Sequence, residues 1–93
     1  ILGKTHPSTL MTVMNIAIVY MNGLKNYGKA EELYQRALDG YEAQLGKDHK
    51  NTKNCAMNLA TCFAQAGEKL KLRKIIDEYP HIMIERPAIE NYL

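Results

Sequence analysis

The feature that most constrains this chain is that it starts over. Gly3-Lys4-Thr5-His6 returns as Gly46-Lys47-Asp48-His49, Asn15-Ile16-Ala17 as Asn58-Leu59-Ala60, and Tyr20 as Phe63, each pair 43 positions apart. One spacing of this size points to a solenoid, in which a unit too small to bury its own apolar face is copied and stacked against itself. A repeat array, not a single irregular core, is therefore the architecture to expect.

Within the first unit the apolar residues Leu10, Val13, Ala17, Tyr20 and Leu24 recur at steps of three and four, the helical period. A first helix is expected over 7–22, opened by Pro7, whose missing N–H suits a first turn, and closed at Asn22-Gly23 by a glycine in the left-handed conformation. A second stripe, Tyr27, Ala30, Leu33, Tyr34, Ala37, Leu38, Tyr41 and Leu45, predicts an amphipathic helix over 27–45 with its charges on the other faces. The second unit predicts a helix over 50–66 ending at Gly67, with Ala56, Leu59, Ala60 and Phe63 inward. A shorter helix follows over 68–79, ended by Pro80. Residues 81–93 leave the repeat, and Pro87 opens a last short helix with Ile89 and Leu93 on one side, suited to a cap. The fold class expected is all-α: about two helical hairpins (4–46 and 47–80) plus a C-terminal capping helix (81–93). Ile1 to Gly3 match Gln44-Leu45-Gly46, so they read as the tail of an earlier helix, and the chain as a segment of a longer array. Two units fall short of the three that make a stable array, so the alternative is self-association. The helix at 7–22, apolar on nearly every side, suits either.

Composition excludes several function classes. Twelve Lys and Arg against ten Asp and Glu leave a charge of +2, too small an excess to imply nucleic acid or an anionic membrane. The longest apolar run, Ile16 to Met21, is far below the roughly 20 residues of a membrane span. Cys55 and Cys62 stand seven apart on one predicted helix, about 10 Å along its axis, too far to bridge. Two unpaired thiols fit a reducing, cytoplasmic setting. No Ser-His-Asp or Cys-His set, glycine-rich phosphate loop or converging carboxylate pair is present, so no enzyme is expected. His6 and His49 recur before each first helix and read as repeat architecture, His81 stands alone, and the cysteines lack zinc spacing, so neither metal nor cofactor is expected.

The residues Leu2-Gly3, His6-Pro7, Thr9-Leu10, Asn15-Ile16-Ala17, Tyr20, Tyr27, Ala30-Glu31, Leu33-Tyr34, Arg36-Ala37-Leu38, Glu42 and Leu45-Gly46 follow a recognisable order. The chain resembles tetratricopeptide repeats of the kind found in kinesin light chains, whose period is about 42 residues. The match is strong to about Gly67 and weak beyond. One residue is extra near Gly23 to Tyr27. Lys50 replaces a proline, and Lys69 and Leu72 stand where Tyr and Ala are the rule. The resemblance implies a protein-interaction scaffold: hairpins stacked into a right-handed superhelix whose concave face, lined by the first helix of each pair, holds an extended peptide or a partner's helix. It also implies that Asn15 and Asn58 touch the bound peptide's backbone.

The spacing leads to the same surface. With the first stripe turned inward, Met11, Met14, Asn15, Ile18 and Asn22 share another side of the first helix, and Asn54, Met57, Asn58, Thr61 and Gln65 the matching side of the third. Side-chain amides both donate to and accept from a peptide backbone, so this strip of Asn, Gln, Thr and Met is the candidate partner-binding surface. Each element also has a plainer reading. Asn15 and Asn58 could instead hold neighbouring helices in register, Met11, Met14, Met21 and Met57 could be packing residues, and the whole face could be filled internally. Lys47, Lys50, Lys53, Lys69, Lys71, Arg73 and Lys74 read either as a solvated face or as a weak nucleic-acid surface.

Overall fold

A computed structural model describes residues 7–93. The described residues contain helices and no strand. Helix α1 (Pro7–Ile18) runs into a π-helical turn (Val19–Gly23), then α2 (Tyr27–Leu45), α3 (Lys50–Ala66), α4 (Lys69–Glu78), the short α5 (His81–Glu85) and a 3-10 turn (Pro87–Tyr92). Successive helices pack on one another, α1 on α2, α2 on α3 and α3 on α4, while α5 and the 3-10 turn fold back onto α3. The expected all-α helical-repeat class is the fold observed, while the C-terminal stretch, expected as one short helix opened by Pro87, is α5 followed by a 3-10 turn. Leu2-Gly3, the earlier-helix tail at 1–3 and His6 lie outside the described residues.

Local signals account for the boundaries. Asn26 caps α2, its side chain accepting the Lys29 N–H at 3.1 Å. His49 caps α3 through Nδ1, which accepts from the Asn51 N–H at 3.0 Å, so Lys50 opens this helix without the family's proline. Gly67 ends α3 at φ 78°, in the left-handed region. Tyr79-Pro80 stops α4 after ten residues, against nineteen in α2.

The end of α1 departs from expectation. The Leu24 N–H bonds Val19 O at 3.2 Å, five residues back, which widens the last turn into a π-helix. Met21 is buried in line with Val13 and Ala17, as its counterpart Ala64 is on α3, Tyr20 is half-buried, and Leu24, beyond the widened turn, is not a core residue but 64% exposed. Nor does Gly23 supply the left-handed residue; Lys25 does, at φ 54°. The physical reason is one surplus residue. Val13 and Ala56, Ala17 and Ala60, and Met21 and Ala64 are buried partners 43 apart, whereas Ala30 and Leu72, Leu33 and Ile75, and Ala37 and Tyr79 are buried partners 42 apart. The offset changes between Met21 and Ala30, and Lys25 stands 42 before Gly67, so Leu24 is the residue without a counterpart. The 42-residue offset also shows that α4 keeps the burial pattern of α2 despite Lys69 and Leu72.

Helix α2 is buried on two sides. Ala30, Leu33, Tyr34, Ala37, Leu38, Gly40 and Tyr41 are all covered, between α1 on one flank and α3 on the other. A Cβ at Gly40 would stand 2.5 Å from Cδ2 of Leu10, itself 1% exposed, so Leu10 of α1 packs into the space that the missing side chain leaves on α2. Replacing Gly40 with Ala gains helix propensity but forces Leu10 out of a packed site, and urea titration should show a net loss of about 1 to 2 kcal/mol. Lys25→Gly, which relieves a left-handed non-glycine residue, should raise stability by about 0.5 to 1 kcal/mol in the same assay, while Gly67→Ala should lower it by a similar amount.

Candidate functional site

The ten residues of the candidate strip all lie on α1 with its π-helical end or on α3. Met11, Asn15, Asn22, Asn54 and Gln65 are exposed, and Met14, Ile18, Met57, Asn58 and Thr61 are half-buried. The strip is thus neither core nor free surface. Its two halves meet where the Asn58 amide contacts Met14 Sδ at 3.7 Å, which ties α3 to α1 across the strip. The two asparagines consequently differ. Asn15 presents its amide to solvent with no hydrogen bond to another described residue, while Asn58 has one donor directed at the neighbouring helix. Met21, weighed as part of a soft surface, is instead a core residue.

Near its C-terminal end the strip on α3 is partly taken by the cap. Arg86 Nη1 donates to Thr61 Oγ1 at 2.9 Å, and Thr61 in turn donates to Met57 O at 3.0 Å, so this hydroxyl is engaged both as acceptor and as donor. His81 Nε2 lies 3.3 Å from Lys53 O, pinning the start of the cap to the same helix. A groove of about 380 Å³ remains between α3 and the cap, lined by Thr61, Ala64, Gln65, Arg86, Ile89 and Tyr92 among others. The cap's hold on Thr61 is not readable from the strip's own pattern; the pairing of an arginine before Pro87 with a threonine on another helix carries no periodic signal.

The lysines expected as a solvated or nucleic-acid face are interleaved with acids. Lys71 Nζ sits 2.6 Å from Glu31 Oε1, and this hydrogen bond raises its pKa. Lys47 lies over the Tyr79 ring at 5.6 Å, and the Tyr79 hydroxyl donates to Glu42. Glu31, Glu42, Lys47 and Lys71 border a groove of about 500 Å³ between α2 and α4 that also holds Asp39, Lys74 and Glu78. Opposite charges in one groove cancel most of the field that a phosphate backbone requires.

Cys55 and Cys62 are buried between α2 and α3, their thiols 3.5 Å from the carbonyls of Tyr34 and Tyr27. Burial pushes the Cys55 thiol up to about 12, helped by Asp39 and Glu42, and burial with Glu31 pushes Cys62 up to about 11. Both serve as packing groups with a weak donor. No group of three metal-ligating side chains converges among the described residues, and none of the described helices is long and apolar enough to cross a membrane.

A family model described as tetratricopeptide repeat matches residues 1–71, which takes in both first helices, all of α2 and the start of α4. No curated protein matches the chain.

The thiols set a pH dependence. Their folded pKa values lie above the ordinary value of 9.0, so the unfolded chain releases protons first as pH rises. Stability is therefore complete below about pH 9 and falls above it, by up to about 1.4 kcal/mol per pH unit for each thiol. Urea midpoints should be flat from about pH 6 to 8 and drop between about pH 9 and 10.5, with a shallower drop in Cys55→Ala plus Cys62→Ala. In the native wild type, a thiol reagent should label neither cysteine until denaturant is added.

Proposed function

This chain belongs to the tetratricopeptide-repeat family, and we propose that it acts as a protein-interaction scaffold that holds an extended or helical segment of a partner on the concave face formed by α1 and α3. Family membership carries the coarser half of this reading, since these repeats generally mediate protein–protein interaction. The observation that carries the finer half is Asn15: an exposed amide, unclaimed by the described residues, on a face flanked by Met11, Met14 and Ile18. A buried, fully bonded amide there would favour a purely architectural role.

The mechanism is equilibrium binding. Asn15, Asn22, Asn54 and Gln65 offer donors and acceptors to a backbone whose own hydrogen bonds are unmade, and Met11, Met14, Ile18 and Met57 supply apolar contact that tolerates different side chains. Asn58 stands between the two roles, bridging to Met14 with one donor and leaving its carbonyl oxygen for a ligand. Thr61, held by Arg86, contributes packing. Of the grooves named above, the one beside α5 and the 3-10 turn touches the strip at Thr61 and Gln65, and the other lies away from it. The Asn15-Ile16-Ala17 and Asn58-Leu59-Ala60 triplets support the kinesin light chain-like kind of repeat, with units at about 4–46 and 47–80 and a cap at about 81–93. Two buried, unpaired thiols support a cytoplasmic setting.

A random dodecapeptide phage library panned against the whole chain supplies the probe. For a selected peptide, fluorescence anisotropy should show Asn15→Ala weakening binding about 5- to 30-fold with no change in thermal midpoint, as loss of one or two backbone hydrogen bonds requires. Asn58→Ala should weaken binding similarly and also lower the midpoint slightly, because it frees Met14. Arg36→Ala, on the exposed side of α2, should change neither. Failure to enrich any peptide, or full affinity in both asparagine variants, contradicts the proposal.

A further inference from the structure

The chain itself occupies one end of the strip. Thr61 is held by a side chain from outside α1 and α3: Arg86 Nη1 donates to its Oγ1 at 2.9 Å, while the hydroxyl's own proton goes to Met57 O at 3.0 Å. A segment that reaches along α3 past Met57 therefore meets a hydroxyl already used in both senses. One unit earlier there is nothing to hold, because the counterpart 43 positions back is Ile18, which has no hydrogen-bonding side chain.

Arg86 is placed so that its side chain moves while its backbone stays. The Arg86 N–H bonds Ile82 O at 2.8 Å, the Ile89 N–H bonds Arg86 O at 3.1 Å, and the two isoleucines are buried anchors at 0% and 4% exposure. The Arg86 side chain makes its hydrogen bond at the surface, so swinging it into water exchanges one partner for another at small cost. Thr61, Gln65 and Arg86 also line one groove of about 380 Å³ between α3 and the cap. The space into which the strip continues is thus already present, and the guanidinium borders it.

We propose that Arg86 is a latch on the partner site: closed on Thr61, it shuts the α3 end of the strip, and a partner segment that runs along α3 into the groove displaces it. This inference rests on the strip being the partner's site. One exposed hydrogen bond biases closed over open by about 3- to 10-fold, and apparent affinity falls by about the same factor, since only the open fraction binds. The latch therefore sorts partners by reach: a segment that stops short of Thr61 does not feel it, and one that enters the groove does. An Arg86 that instead made a contact to the partner would act in the opposite sense, and its removal would weaken binding.

Panning a random dodecapeptide library on the whole Arg86→Ala chain, with soluble wild type as competitor, selects segments that need the open end. By fluorescence anisotropy these peptides should bind Arg86→Ala about 3- to 10-fold more tightly than wild type. Adding Gln65→Ala, which trims the groove they enter, should weaken them about 3-fold or more. Arg86→Ala should keep its helical circular dichroism and a thermal midpoint within about 3 °C of wild type, as an exposed contact requires. Should loss of the side-chain stem destabilise it, Arg86→Leu, which keeps an apolar stem without the donor, carries the same expectation. A wild type that selects peptides alone while the competition yields none that favour the variant overturns the latch, and so do favoured peptides that are indifferent to Gln65→Ala. Failure of either chain to select any peptide contradicts the scaffold reading itself, and the latch with it.

Discussion

The two-sided burial of α2 is the interaction on which the rest of the structure depends. A helix at the surface of a small protein has one covered stripe; α2 has two, and its sequence supplies both. Small residues, Ala30, Ala37 and Gly40, let the neighbouring helices approach, while Tyr34, Leu38 and Tyr41 fill the space that remains. Complete burial of each large side chain is worth about 1.5 to 3 kcal/mol. The Tyr34 hydroxyl lacks a partner among the described residues, an offset of about 1 to 3 kcal/mol. Ring burial outweighs it, and the hydroxyl stays protonated because that same burial raises its pKa. With α2 held on both flanks, α1 and α3 are brought to a common side, and the strip they share follows from that placement.

The second hairpin is finished differently from the first. Helix α4 repeats part of the buried stripe of α2, at Leu72 and Ile75, but is cut short by Pro80, and among the described residues α5 and the 3-10 turn are what pack on α3 after it. The segment from His81 onward takes that place with few residues: Ile82 and Ile89 are buried, His81 reaches the Lys53 carbonyl, and Arg86 bonds Thr61. These residues cover the core with apolar side chains and are held to α3 by polar ones. The Arg86 contact also narrows the candidate strip, whose open part lies towards α1.

Much of this fold is readable in the residues because repetition makes each inference twice. The boundaries of α2 and α3, the stop at Gly67 and the close at Pro80 follow from stripes, caps and breakers that agree with one another. The surplus residue is visible only as a period of 43; that it widens the end of α1 and leaves Leu24 out depends on a hydrogen bond that no local pattern encodes. Lys25 in the left-handed region is hidden for the same reason, because Asn22-Gly23 is the stronger local signal. For the strip, helical spacing places the ten residues on α1 and α3 but does not separate Asn15 from Asn58, since the Met14 contact is tertiary. Nor does it show Thr61 engaged from the cap.

Native-state hydrogen exchange tests most directly whether α2 is the shared spine. The account predicts that amides of α2 from Tyr34 to Tyr41 exchange only through global unfolding, with α1 and α3 close behind and the cap opening at lower free energy. If α1 and α2 instead open together, independently of a still-protected α3, the two hairpins are separate units and the central claim is wrong.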